Sequence, residues 1–75
     1  MVTDNLFADL LRSLRKGRQQ RLHELASTTG ISIVDVSEIE RGKRKPTDDE
    51  VCSLADAFGV SRQVFLVLCD RLWEG

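Results

Sequence analysis

The apolar residues of this chain recur at spacings of three and four, in five short groups separated by glycines and polar turns. That spacing sets side chains on one face of an α-helix, so the pattern predicts five helices. The first is expected over about Asp4–Lys16, with Phe7, Leu10, Leu11 and Leu14 as its stripe, Thr3 or Asp4 as its cap and Gly17 as its end. The second runs from Gln20 or Arg21 to Thr29, with Leu22, Leu25 and Ala26 inward and no Ser, Thr, Asp or Asn at the obvious cap position. The third runs from Ser32 to Arg41; Val36 and Ile39 form its inner face, Ile33, Val34, Asp35, Ser37, Glu38 and Arg41 its outer face, and Gly42 stops it. The fourth spans Asp48–Phe58, with Val51, Leu54, Ala55 and Phe58 inward and Gly59 at its end. Thr47 and Glu50 make the Thr-x-x-Glu signature of a capping box, and Pro46 just before it costs no hydrogen bond. Ser61 caps a fifth helix over about Arg62–Trp73.

The junction of the second and third helices carries the most information. Gly30 stands where a helix must end in a sharp turn, since only glycine enters the left-handed region without a Cβ penalty. Ser32 is placed to cap the next helix, and Asp35, three residues on, can reach back as in a capping box while suiting the helix dipole. Two short amphipathic helices meeting at such a turn form the pattern of a helix-turn-helix, whose second helix can enter the DNA major groove.

The fifth helix breaks the one-stripe rule. Val64 to Cys69 are six consecutive apolar residues, with Leu72 and Trp73 one turn later. A helix apolar nearly all round needs cover on a second side. In so small a chain, a second copy is the expected cover, in a two-fold dimer through Phe65, Leu66, Leu68, Cys69, Leu72 and Trp73. The alternative is a central core helix within one subunit. A strand over 64–69 would have no partner and is rejected.

At 75 residues the chain holds one domain at most, and a chain that size is only marginally stable alone. With no Tyr, a single Pro and little alternation of apolar and polar residues, an all-α fold is expected over a sheet. The formal net charge of −1 argues against a polyanionic partner until its distribution is considered. Residues 1–45 hold nine Lys and Arg against six acids, whereas residues 46–75 hold two against six. A chain polarised in this way can meet a polyanion with one end. The basic residues are Arg12, Arg15, Lys16, Arg18 and Arg21, then Arg41, Lys43, Arg44 and Lys45.

Other chemistries are excluded more simply. Cys52 and Cys69 have no Cys-x-x-Cys spacing and only His23 as a companion, so they read as small buried hydrophobes in a reducing cytosol and no metal site is expected. Asp48, Asp49 and Glu50 complement a helix N-terminus, and His23 reads as a surface residue. There is no nucleophile–base pair and no Gly-rich phosphate loop, so no enzyme and no cofactor is expected. No apolar run approaches the ~20 residues that cross a bilayer, and no membrane partner is expected.

The chain resembles the small five-helix DNA-binding domains of the lambda repressor and Cro type, also called the XRE family. The residues that carry the likeness are Glu24-Leu25-Ala26, Thr29-Gly30-Ile31-Ser32, the run Val36 to Thr47 with its "Ser-x-Ile-Glu-Arg-Gly-x-Arg-x-Pro" signature, and Leu54 to Val60. They extend over about residues 7–66. The resemblance implies a cytoplasmic, nucleoid-associated protein of bacterial or phage origin. It would bind a palindromic operator in double-stranded DNA as a homodimer and regulate transcription, as phage repressors, restriction–modification controllers and antitoxins do.

Carried over residue by residue, the resemblance implies base reading by Ile33, Val34, Asp35, Ser37 and Glu38. It implies phosphate holding by Gln20, Arg21 and Ser32 at the helix starts and by Arg41, Lys43, Arg44 and Lys45 after the third helix. Arg12, Arg15, Lys16 and Arg18 would flank that surface. The reading face departs from its relatives, which often carry Gln, Arg, Ser or Thr at the first two reading positions and a Gln at the start of the second helix. Here Ile33, Val34 and Leu22 stand at those places. No Arg or Lys is set to grip guanine, and no Asn or Gln to grip adenine. What is left is apolar contact of Ile33 or Val34 with thymine methyls, Ser37 to any edge, and Asp35 or Glu38 accepting from cytosine. Asp35 has the alternative of serving the cap alone, and Glu38 that of pairing with Arg41. An apolar, acidic outer face also leaves open a second class, a protein-interaction module on the same fold. Such a module would take a regulatory protein partner, as an antirepressor or an assembly subunit.

Overall fold

The computed structural model describes residues 5–73, which form five helices: α1 Leu6–Gly17, α2 Leu22–Thr29, α3 Ile33–Glu40, α4 Asp48–Phe58 and α5 Arg62–Leu72. No strand occurs among the described residues. The architecture is all-α, and the bounds fall within a residue or two of those the periodicity predicts. Each helix contributes its apolar stripe to one core: Phe7 and Leu11 from α1, Leu25 from α2, Val36 and Ile39 from α3, Val51, Leu54 and Phe58 from α4, and Phe65 and Cys69 from α5. Phe65 packs edge-on against both Phe7 (ring centroids 5.3 Å apart) and Phe58 (6.5 Å), so one ring ties α5 to α1 and α4.

Three of the expected helix ends form as read. The Ser32, Thr47 and Ser61 hydroxyls accept the backbone N–H groups of Asp35, Glu50 and Val64. Thr47 N–H also donates to Glu50 at 2.9 Å, which completes the capping box of α4. Gly30 closes α2 at φ 77°, in the left-handed region, with its N–H on the Ala26 carbonyl. The start of α2 has its own device. Arg21 N–H donates to the Glu24 carboxylate at 2.8 Å, so the acid three residues on supplies the half of the cap that the N-cap side chain lacks.

Two ends differ from expectation. The proposed caps Thr3 and Asp4 lie outside the described residues, and α1 is capped by Asn5, whose Oδ1 accepts Ala8 N–H at 3.0 Å. Gly17 is the last residue of α1, but the left-handed turn falls two residues later at Gln19, φ 57°. Arg18 takes the cap, its N–H shared between the Leu14 and Arg15 carbonyls.

The fifth helix requires a correction. Phe65 is 2% exposed and Cys69 3% exposed within a single chain, so both belong to the core and neither is available to a second copy. Leu66, Leu68, Leu72 and Trp73 are partly buried against the same core. The apolar surface that stays open on α5 is instead Val64 and Val67. Six apolar residues in a row carry no period, so the sequence did not tell which of them face inward.

Candidate nucleic-acid interface

The turn Gly30-Ile31-Ser32 sets α3 against α2. Ile31, Val36 and Ile39 anchor it inward, which leaves its outer side on the surface. Ile33 is 46% and Val34 63% exposed, two adjacent apolar side chains open to solvent at the start of α3. Val34, Ser37 and Arg41 share one line along the helix at spacings of three and four. Asp35 and Glu38 share the neighbouring line, on the side of Arg44. Of the expected base-reading residues, Ile33, Val34 and Ser37 thus stand apart from the two acids.

The cations around this face fall into two groups. Arg21 and Lys43 are exposed and form no ion pair among the described residues. Arg41 is exposed, its Nε on the Ser37 carbonyl at 3.3 Å. Lys45 is exposed with its Nζ 3.8 Å from Asp70, a contact of little strength in water. Ser32 is exposed at the start of α3 with its Oγ engaged in the cap. Gln20 is half-buried; its carbonyl accepts from Arg15, and its Oε1 is enclosed without a hydrogen-bond partner.

Lys16 is exposed with no ion pair among the described residues, whereas the remaining arginines around this face are engaged within the molecule. Arg15 forms a two-point pair with Glu40, Arg12 pairs with Asp9 and reaches the Glu40 carbonyl, and Arg18 donates to the Phe58 carbonyl at 2.6 Å with its guanidinium over the Phe58 ring. Arg18 therefore closes the C-terminus of α4, where orphan carbonyls need donors. The expectation that Arg12, Arg15 and Arg18 flank a phosphate surface is corrected by these contacts. Glu40, which the sequence did not single out, is the acid that makes Arg15 structural.

Arg44 is the sharpest departure. Its Nη1 and Nη2 donate to the two carboxylate oxygens of Glu50 at 3.0 and 2.9 Å, Nη2 lies 3.7 Å from Asp35, and its Nε is enclosed without a partner. The hydrogen bonds to Glu50, and then the charges of Glu50, Asp35 and Glu38, hold the Arg44 guanidinium more firmly protonated than an ordinary arginine. The same hydrogen bonds hold the Glu50 carboxyl below the usual carboxylate range against a smaller opposing effect of burial. Neither alternative named for the α3 acids forms: the Asp35 carboxylate faces Arg44 rather than reaching back to the cap, and Arg41 donates to the Ser37 carbonyl rather than to Glu38.

Residues 6–66 match the helix-turn-helix domain family. The chain belongs to that family. Among its relatives, a protein named an uncharacterized HTH-type transcriptional regulator of Mycobacterium tuberculosis is 37% identical over 57 residues, 76% of this chain and 41% of the relative. The HTH-type transcriptional regulator DdrOP3 of Deinococcus deserti is 37% identical over 51 residues, 68% of this chain and 40% of its own. An uncharacterized HTH-type transcriptional regulator of Mycobacterium bovis is 38% identical over 50 residues, 67% of this chain and 20% of its own. The matched stretch thus spans from about two fifths down to one fifth of these relatives.

Within this helix-turn-helix domain the thiols fit the scaffold. Cys69 is buried, and burial pushes its thiol above the ordinary range, away from reactivity. Cys52 is half-buried rather than fully so. His23 is exposed on α2. Among the described residues no three His, Cys, Asp or Glu side chains come together as metal ligands, and no helix is long and apolar enough to cross a membrane.

Proposed function

We propose that this helix-turn-helix domain is a sequence-specific DNA-binding transcriptional regulator that acts as a homodimer on a palindromic operator in the bacterial nucleoid. The observation that carries the reading is the outer side of α3. It is open to solvent at Ile33 and Val34 and half-buried at Ser37, fixed from behind by Val36 and Ile39, and flanked by the uncommitted cations Arg21 and Lys43. Side chains on such a helix reach base edges in the major groove, and the flanking cations hold phosphates. Arg41, Lys45, Ser32 and Gln20 complete the phosphate set in this reading. Ile33 and Val34 favour thymine methyls. Repression by occupancy needs nothing beyond DNA binding and dimerisation, which is why we place the domain with repressors. No catalytic step, metal or cofactor belongs to this reading.

For the homodimer we propose the open side of α5, with Val64, Val67 and Leu68 at the centre and Gln63 at the edge. Leu66, Leu72 and Trp73 support these residues from the core side. Two copies joined there would set their α3 helices toward half-sites about one helical turn, ~34 Å, apart. The exposure of Ile33 and Val34 also suits a second reading, in which α3 docks in an apolar protein groove. Titration against a random pool of duplex DNA at low salt separates the two. Binding that falls steeply with salt, and an inverted repeat among the selected duplexes, are expected. A folded protein that binds no duplex would refute the DNA reading in favour of the protein groove.

A further inference from the structure

Arg44 sits in the basic loop with about a third of its side chain exposed (32%), but its guanidinium is already engaged. Both terminal nitrogens are held by Glu50, and Nε is enclosed. Glu50 cannot follow Arg44 elsewhere, because Thr47 N–H fixes it at the N-terminus of α4. Turning the guanidinium to a phosphate would strip a partly buried carboxylate of its partner beside a polyanion, which is costly. At the same time α3 carries two carboxylates, Asp35 and Glu38, on the line next to its open face. Unpaired acids there would repel phosphates within a Debye length, about 8–10 Å at physiological salt. The guanidinium lies 3.7 Å from the Asp35 carboxylate, and Glu38 acts on it as well.

We propose that Arg44 is a positioning residue for DNA recognition: held by Glu50, it is the counter-charge that lets an acidic α3 approach the major groove, and it makes no phosphate contact of its own. This rests on the DNA-binding reading above. The residue whose character changes most is Asp35. Screened on one side by Arg44 and open on the other, it becomes tolerable beside phosphates and available as an acceptor for a cytosine amino group. The basic loop then divides by function, with Lys43 and Lys45 toward the backbone and Arg44 toward the protein.

The test is a cycle of variants, each titrated against one duplex selected from a random pool over a range of salt. Arg44→Gln is expected to weaken binding on the order of tenfold, since it exposes Asp35 and Glu38 to phosphates. In the background Asp35→Asn with Glu38→Gln the same change is expected to cost clearly less, the remainder being the Glu50 carboxylate left without its partner. An equal loss in both backgrounds would overturn the proposal and make Arg44 a phosphate contact. Glu50→Gln keeps a capping-box side chain and covers the case in which Arg44→Gln unfolds. It releases the guanidinium, so the log–log salt slope is expected to steepen by up to about 0.9, the value of one added phosphate contact. An unchanged slope would mean that Glu50 was not withholding Arg44, and would also overturn the proposal. If the folded wild-type chain binds no duplex at all, the DNA reading itself fails. That result is distinct from a wild type that binds while Arg44→Gln behaves alike in both backgrounds.

Discussion

Arg15 of α1 and Glu40 of α3 face each other across 25 residues of sequence, joined by hydrogen bonds of 2.7 and 3.0 Å at side-chain exposures of only 11% and 5%. Arg15 also donates to the Gln20 carbonyl, so a single guanidinium ties α1, the turn before α2 and the end of α3 together. The helix presented to solvent is thus held at its C-terminal end by a buried ion pair and at its N-terminal end by the Ser32 cap.

Removing one partner of a buried pair strands the other. Arg15→Met or Glu40→Gln is expected to lower unfolding stability by about 3–5 kcal/mol, measured by urea denaturation. That is a large share of what a domain of this size has. Replacing both with apolar residues of similar volume is expected to cost less than either single change. Singles within a few tenths of wild type would show that the pair does not hold the helices.

The glycines make opposite predictions. Gly30→Ala puts a Cβ on a left-handed residue and is expected to cost about 1–2 kcal/mol, wholly from conformation, because an added Cβ meets nothing within 4 Å. Gly17→Ala falls on a helical residue with equally open surroundings and is expected to stabilise by up to about 1 kcal/mol. Thermal unfolding of the two variants checks both signs.

Stability at low pH follows from Glu50. Its carboxyl is held below the ordinary range in the folded chain, chiefly by the Arg44 hydrogen bonds. The folded state therefore binds this proton less readily than the unfolded state. The stabilisation is present above the unfolded value, about 4.3, and is lost as pH falls through the lower folded value. Glu50→Gln is expected to remove part of the acid-side loss. An identical acid limb in the variant would place the pH dependence in other carboxylates.

On α5 the core and the open side separate cleanly. Val67→Asp is expected to leave helicity and thermal stability near wild type while shifting sedimentation from dimer to monomer. Phe65→Ala, inside the core, is expected to cost about 3–5 kcal/mol and to act through folding. A dimer that persists in Val67→Asp would move the interface off α5.

What could be read from sequence was local. Ser32, Thr47 with Glu50, Ser61 and Gly30 act within three or four residues of their partners, and each forms as the spacing implied. The contacts that escaped notice join distant residues or compete with a simpler reading. Nothing in the sequence sets Arg18 against the Phe58 carbonyl, 40 residues away. Arg15, Arg18 and Arg44 read as phosphate-binding because they lie in basic runs, and only the packed structure reveals the carbonyls and carboxylates that occupy them. The acid three residues into α4 was legible as a cap but not as the anchor of Arg44, because one carboxylate serves both. The helix-turn-helix was therefore plain from sequence, whereas which cations remain free at its surface was not.

The central claim is that the outer side of α3 and the loop after it meet DNA. Backbone amide shifts of the isotope-labelled chain, followed during titration with a selected duplex, test it most directly. The account predicts the largest changes over Ile33–Ser37 and Arg41–Lys45, with Arg21 joining them and the open side of α5 unmoved. Changes centred on α5 or α4, with residues 33–45 silent, would contradict it.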